Sequence, residues 1–203
     1  MGAHGFGDPH GIRSVDLERG QPSFTRFCVH HLLLKPMAPQ VSFRHQKKVL
    51  LANLETQVMS ASAQKVRKGL SQLCRLTDQT LQELWRISGL SSPLCLLAVG
   101  GYGRGELFPY SDVDVLVLLP NDCHLEQDEL LKHKVEQFIG RCWDTGLEIG
   151  SSVRTLDECL LESAQDITIQ TSLLEARHLA GCRKLSRDFY RRYSEAMDPH
   201  AFF

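Results

Sequence analysis

The sequence predicts an α+β fold in which a small mixed sheet carries the functional residues and helices pack against it. Two compact apolar runs, residues 94–99 and 113–119, are short and bordered by glycine or proline, which is typical of buried strands. Before, between and after these runs, apolar residues recur every three or four positions, which is the spacing of amphipathic helices. We therefore expect a few strands that bear the site, with helices around them.

The chain divides into three predicted parts. Residues 1–40 are rich in glycine, proline and histidine without a persistent period, and we expect a flexible extension there. Residues 41–92 form a helical segment, with one helix over 43–76 and a second from Asp78, as its N-cap, to Ile87. Residues 93–203 form the main domain, which we expect to be truncated at its C-terminus because the chain ends on two aromatic residues.

Within the main domain, the sequence predicts strands and helices in alternation. The first strand covers residues 94–99, the second begins at Asp112 and ends at Pro120, and a helix follows over residues 125–143. Gly146 ends that helix, and a third strand covers residues 147–154. Thr155 caps the next helix, and two further helices are expected over residues 166–179 and 184–197.

Composition favours a soluble cytoplasmic protein. Lys and Arg (23) nearly balance Asp and Glu (24), so the sequence gives no indication of general nucleic-acid binding. The seven cysteines are scattered without a C-x-x-C pair, which argues against structural zinc and a disulfide framework. No apolar run is long enough to span a bilayer, and the N-terminus lacks the pattern of a signal peptide.

One segment carries the chemistry, and it runs from residue 100 to residue 114. Four glycines within six residues, at positions 100, 101, 103 and 105, let the backbone approach phosphate oxygens closely. Asp112 and Asp114 are two residues apart on a strand, so both carboxylates are expected on one face. Two acids held there repel each other unless a cation lies between them, and magnesium prefers such oxygen ligands.

The order of strand, Gly-Gly loop and Ser-Asp-x-Asp strand resembles the DNA polymerase β superfamily of nucleotidyltransferases. The string GGYGRGELFPYSDVDVLVLLP is more particular and is similar to the catalytic domain of the bifunctional uridylyltransferase/uridylyl-removing enzymes. Three further strings share that resemblance: WDTGLEIGSSVRTLDECL, DITIQTSLLEARHLAG and the closing DPHAFF. The resemblance covers roughly residues 45 to 203 and implies a polymerase β-like nucleotidyltransferase fold.

The resemblance also implies an activity and its partners. UMP would pass from UTP to a tyrosine hydroxyl of the PII nitrogen-signalling protein, with release of pyrophosphate, and Mg²⁺ would be held by Asp112 and Asp114. Gly100 and Gly101 would cradle the triphosphate. The family's uridylyl-removing and glutamine-sensing domains have no counterpart in this sequence, so those functions are not expected.

Other assignments from the resemblance stay open at this point. Glu148, on the third predicted strand, is the candidate for the third carboxylate of the superfamily, with Asp144 and Asp166 as competitors. Arg104 and Ser111 are candidate phosphate contacts, although either side chain could serve only the surface or the turn.

Arg154 and Arg177 could serve the triphosphate or the fold, and we expect the fold; we expect His178, on a predicted helix, to be structural as well. A relative that uses another nucleotide or acceptor remains an alternative. So does a truncated domain that binds nucleotide or a partner without turnover.

Overall fold

The structure, a computed structural model, describes residues 39–58, 63–90 and 92–197. Its elements alternate between helices and short strands after two N-terminal helices. In chain order they are α1 Pro39–Val58, α2 Ala63–Ile87, β1 Cys95–Ala98, α3 Gly100–Gly103, β2 Val113–Leu119, a 3-10 turn Leu125–Gln127, α4 Glu129–Thr145, β3 Ile149–Thr155, α5 Leu156–Ser163, α6 Ile167–Leu174, β4 Arg177–Gly181 and α7 Arg183–Ala196.

The strands form one four-stranded mixed sheet in the order β3-β2-β1-β4. β1 pairs antiparallel with both β2 and β4, whereas β2 and β3 run parallel in register from Val113–Ile149 to Leu119–Thr155. A parallel pair needs a crossover connection, and α4 supplies it between β2 and β3. The α+β prediction with a small mixed sheet flanked by helices is therefore confirmed.

Helices cover both faces of the sheet, and each face has its own apolar core. On one face, α2 and α4 bury their apolar stripes against residues of alternating strand positions such as Val113 and Val115. On the other face, α5, α6 and α7 cover Leu116 and Leu118 of β2. Because strand side chains alternate, Asp114 lies on this second face of the sheet.

The sequence predicted most strand positions and several helix ends correctly. The two apolar runs are β1 and β2, and the strand expected over 147–154 is β3. Gly146 ends α4 with a φ of 89°, a left-handed conformation that glycine adopts without steric cost. Thr155 caps α5 in a capping box, in which its side chain accepts from the Glu158 amide and the Glu158 side chain accepts from the Thr155 amide.

The expected N-terminal helix boundaries are wrong. α2 runs without interruption from Ala63 to Ile87, so Asp78 lies in its interior and caps no helix. The break falls earlier, between α1 and α2, rather than after residue 76. The local sequence predicts a cap because Asp favours that position, whereas the carboxylate of Asp78 has long-range partners, Tyr102 and Arg177. The helix does end where expected, before Gly89 at φ 66°.

The predicted helix over residues 166–179 is also wrong in its second half. α6 ends at Leu174, and Arg177–Gly181 form the edge strand β4. His178 therefore lies on a strand, where burial lowers the pKa of its imidazole. The segment has no strong strand pattern of its own, so pairing with β1 decides its conformation.

Smaller differences concern the glycine-rich loop and the ends of the chain. Gly100–Gly103 form a single helical turn, α3, instead of an irregular loop, and β2 begins at Val113, one residue after Asp112. The proposed extension over residues 1–40 lies outside the described residues except for 39 and 40, which belong to α1. The closing residues 198–203 also lie outside the described part, and the predicted domain boundaries stay predictions.

Candidate active site

The carboxylate of Asp114 lies in a cradle between two glycines. A methyl group on Gly100 would stand 3.4 Å from Asp114 Oδ2, and one on Gly150 would stand 2.4 Å from Asp114 Oδ1. Gly150 is the residue of β3 that faces Asp114 in the parallel register, and Gly100 opens α3 with a φ of 57°. Only glycine leaves room at position 150 and adopts the backbone at position 100 freely, so both glycines serve this carboxylate.

Asp112 and Asp114 interact electrostatically. Burial raises the pKa of Asp114, and the negative charge of Asp112 raises it further. Asp112 is exposed at the entry to β2, while Asp114 is partly buried. Burial and the charge of Asp112 thus disfavour the ionised form of Asp114 unless a cation compensates the charge.

A cavity of about 340 Å³ opens beside Asp114 on the same face of the sheet. Its floor includes Gly150, Ser152 and Arg154 of β3, and one wall is α6 with Thr168 and Ser172. Ser172 Oγ would stand 3.5 Å from a methyl group on Gly100, so this hydroxyl lies close to the glycine-rich turn as well. The cavity therefore joins Asp114, Val99 before the turn and several hydroxyl groups in one space of small-ligand size.

Glu148, the candidate third carboxylate, directly precedes β3 next to the start of β2. The backbone amide of Val113 donates to its carbonyl oxygen at 2.9 Å, which places Glu148 beside the Asp112–Val113 junction. Its side chain is exposed. Among the residues that the structure describes, no three His, Cys, Asp or Glu side chains are grouped closely enough to hold a metal ion.

The competing acids lie on helices rather than on the sheet. Asp166 caps α6, where its Oδ1 accepts from the amides of Thr168 at 2.7 Å and Ile169 at 3.4 Å, and these hydrogen bonds lower its pKa. Asp144 lies in the last turn of α4, not on the sheet, and its side chain is exposed. Of the three acids, Glu148 is the one whose backbone is hydrogen-bonded to the start of β2, and its role as third carboxylate stays a prediction.

The two candidate phosphate contacts differ in their surroundings. Arg104 pairs with Glu106 at 3.2 Å and with Glu175, and these hydrogen bonds, that to Glu175 foremost, raise the pKa of its guanidinium. It also lies near Gly101, where a methyl group would stand 3.5 Å from its Nη2. Ser111 is exposed, and its amide donates to the carbonyl of Phe108 at 3.1 Å, which closes the turn before Asp112.

The two other arginines both have ion-pair partners in other elements of the fold, and their expected structural role stays a prediction. Arg154 Nε lies 2.7 Å from Glu162 Oε2, an ion pair that joins β3 to α5, although its side chain also lines the cavity. Arg177 binds Asp78 and the backbone of α3. Sequence reasoning missed the network that Tyr102 and Asp78 form with Arg177, because its contacts join distant segments.

Comparison with known proteins shows which family and relatives the sequence is similar to. Residues 79–169 match the family described as "Nucleotidyltransferase domain". The chain is 49% identical over 167 residues to a bifunctional uridylyltransferase/uridylyl-removing enzyme of Burkholderia thailandensis, and 48% identical to those of Burkholderia mallei and Burkholderia pseudomallei. Each match covers 82% of this chain and 18% of the relative, so the chain spans less than a fifth of the length of these curated relatives.

Two further observations concern the helices and the matched stretch. None of the helices in the described part of the chain combines the length and the apolar character that a membrane span requires. The matched stretch contains the glycine-rich turn, Asp112 and Asp114, and the parallel β2–β3 pair. Residues 79–169 of the chain therefore carry a nucleotidyltransferase domain.

Proposed function

We propose that this domain transfers UMP from UTP to a tyrosine hydroxyl of the PII nitrogen-regulatory protein and releases pyrophosphate. The observation that carries the proposal is the acidic pair Asp112 and Asp114, with Asp114 held between Gly100 of the turn and Gly150 of β3. The relatives to which this chain is similar in sequence are uridylyltransferases by name, which favours UTP over other nucleotides.

Mg²⁺ fits the residues present. The ionised form of Asp114 is disfavoured by burial and by the charge of Asp112, and a divalent cation removes both penalties. Magnesium takes hard oxygen ligands, keeps several waters and is commonly held by one or two carboxylates together with substrate phosphates. Asp112 and Asp114 therefore suffice as protein ligands, and Glu148 could add a third carboxylate from the neighbouring strand entry. When bound, magnesium would neutralise phosphate charge and make the acceptor hydroxyl easier to deprotonate.

The chain's own residues would bind and orient the triphosphate. Gly100 and Gly101 lack side chains, so phosphate oxygens can approach the backbone amides of the turn. Arg104 could pair with a phosphate on release from Glu106 or Glu175, and Ser111 orders the turn that presents Asp112. The cavity beside Asp114 offers space for the reacting groups next to these residues.

The test is transfer of label from UTP to purified PII in the presence of Mg²⁺. Label at the α-phosphate must appear on PII, whereas label at the γ-phosphate must leave with pyrophosphate. We expect transfer to vanish in an Asp112→Asn/Asp114→Asn double variant and to persist in Asp122→Asn, a matched change of an exposed carboxylate in the turn after β2. A PII variant whose acceptor tyrosine is replaced by phenylalanine should stay unlabelled.

Three results would contradict the proposal and separate the alternatives. Transfer from ATP but not from UTP would indicate a relative with another nucleotide. Labelling of a different acceptor but not of PII would indicate another substrate. Binding of UTP without transfer, by a folded wild-type chain, would indicate a domain that binds nucleotide without turnover.

We also propose a cytoplasmic location, because the six cysteines in the described part are free thiols, as in reducing compartments.

A further inference from the structure

We propose that Asp78 and Arg177 are positioning residues that hold the glycine-rich turn α3 in the conformation needed for the triphosphate. Together with the Tyr102 hydroxyl they form a network, here called the turn clamp, that joins α2, α3 and β4. The proposal rests on the proposed function only in assigning a triphosphate to the turn; the clamp itself is a statement about the conformation of α3.

The guanidinium of Arg177 binds a carboxylate and two successive backbone carbonyls at once. Its Nη1 and Nη2 donate to Asp78 Oδ2 and Oδ1 at 2.8 and 3.0 Å, a bidentate pair. Its Nε donates to the carbonyl of Gly103 at 3.2 Å, and Nη2 also reaches the carbonyl of Tyr102 at 3.4 Å. A planar guanidinium fork can make these bonds together, whereas the lysine ammonium is a single point of charge.

Tyr102 fixes the turn from within the core. Its side chain is only 2% exposed, and its hydroxyl donates to Asp78 Oδ1 at 2.5 Å. Burial, and then the charge of Asp78, raise the pKa of Tyr102, so the phenol stays protonated and remains a hydrogen-bond donor. The Arg177 guanidinium lies 5.4 Å from the centre of the Tyr102 ring, within the range of a cation–π contact.

The turn needs this external support because it has little of its own. Three of its four residues are glycine, which lose more conformational freedom on ordering than any other residue. Four backbone hydrogen bonds close it: the amides of Gly103, Arg104, Gly105 and Glu106 donate to the carbonyls of Val99, Gly100, Tyr102 and Gly101 at 3.0, 3.4, 3.0 and 3.3 Å. So short a helix is still not stable alone. The clamp ties it to a long helix and to the sheet, which are both rigid elements.

A purely structural reading of the ion pair predicts different behaviour. A partly buried pair adds little net stability compared with other packing, so a role in stability alone would not explain why two of its acceptors are carbonyls of the turn. Both Asp78 and Arg177 lie outside the stretch that matches the nucleotidyltransferase family, residues 79–169. The family match by itself therefore does not reveal this support.

The first test is backbone hydrogen exchange in the full chain without nucleotide. In Arg177→Lys, which keeps the charge but loses the fork, we expect the amides of residues 100–106 to exchange about tenfold faster, as the loss of charge-assisted hydrogen bonds predicts. The matched control is Arg192→Lys, since Arg192 is exposed to a similar extent (36% against 34%) and pairs with Asp157, away from the turn. Unchanged exchange over residues 100–106 in a folded Arg177→Lys protein would overturn the clamp.

The second test compares the affinities of UTP and UMP in the presence of Mg²⁺. In Arg177→Lys, a misplaced turn should lower the affinity for UTP, which has the β- and γ-phosphates, about tenfold and leave the affinity for UMP nearly unchanged. General destabilisation would lower both affinities alike. Tyr102→Phe, which removes only the buried hydroxyl, should shift the ratio in the same direction by less. An unchanged ratio in both variants would refute the positioning role.

The two proposals can fail separately. Wild-type protein that binds neither nucleotide would overturn the assignment of UTP, while the exchange measurement would still decide the clamp. Faster exchange over residues 100–106 with a wild-type protein that prefers ATP to UTP would support the clamp and change only the nucleotide.

Discussion

Replacement of Gly150 by alanine should impair the site while leaving the fold nearly intact. The new methyl group would stand 2.4 Å from Asp114 Oδ1, where ordinary contacts begin near 3.4 Å, so one of the two must move by roughly 1 Å. The backbone at position 150 cannot move freely, because β3 pairs with β2 over its whole length. The carboxylate of Asp114 must therefore turn away.

The two consequences have very different sizes. A side chain that leaves its preferred rotamer costs about 0.5–1.5 kcal/mol. Alanine also restricts the unfolded chain more than glycine does, which stabilises the folded state by about 0.4–1 kcal/mol. The free energy of unfolding should therefore change by less than about 1 kcal/mol. A displacement of about 1 Å in a group that holds the reacting centre can lower the rate about 100-fold. We expect kcat/KM for UMP transfer to fall by that factor.

The assay is metal-dependent UTP binding and UMP transfer, measured beside urea unfolding. Gly140→Ala is the matched control, since a methyl group at Gly140, on the exposed side of α4, meets no atom within 4 Å. That variant should keep full activity and gain about 0.5–1 kcal/mol from better helix propensity. A folded Gly150→Ala protein with wild-type activity and metal dependence would refute the role assigned to the Asp114 cradle.

Two further predictions follow from the site and its turn. Gly103→Ala should destabilise the protein by about 3 kcal/mol in urea unfolding, because its methyl group would stand 2.1 Å from the Glu175 carbonyl oxygen, a backbone atom that cannot rotate away; a loss below 1 kcal/mol would contradict this close contact. Asp114→Asn should raise the melting temperature of the metal-free protein at pH 7. The raised pKa of Asp114 contributes stability that is present below the pKa of the unfolded chain, about 3.9, and is lost as the pH rises through the folded pKa. The gain in melting temperature from Asp114→Asn should therefore shrink at low pH. A gain independent of pH would contradict the charge argument.

The sequence revealed the part of the site that depends on local pattern. The strand pair β1 and β2 could be predicted because both are short apolar runs with clear borders, and the alternation of strand side chains placed Asp112 and Asp114 together. Gly146 and Thr155 could be predicted as helix boundaries because capping depends on the backbone conformation of a few neighbouring residues.

The parts that could not be predicted depend on contacts between distant segments. β4 is a strand because it pairs with β1, about 80 residues earlier in the chain, and its five residues carry no strand period of their own. Asp78 has the local character of a helix cap, yet it lies in the interior of α2 and pairs with Arg177, 99 residues away. The roles of Gly100 and Gly150 toward Asp114 required the register of the sheet.

The unfavourable features of the fold meet where a cation is proposed to bind. Gly100 holds a left-handed backbone, Asp114 has a carboxylate that resists ionisation, and Gly150 gives up a side chain to leave room for it. Each feature opposes stability locally, and the packed sheet with its two apolar cores can sustain all three. A bound cation would relieve the charge on Asp114, so any ligand that brings one should stabilise the folded chain, and the gain should grow with the logarithm of ligand concentration above Kd. The same reasoning explains why the turn clamp is needed: the flexible glycines that admit a phosphate cannot also hold themselves in place.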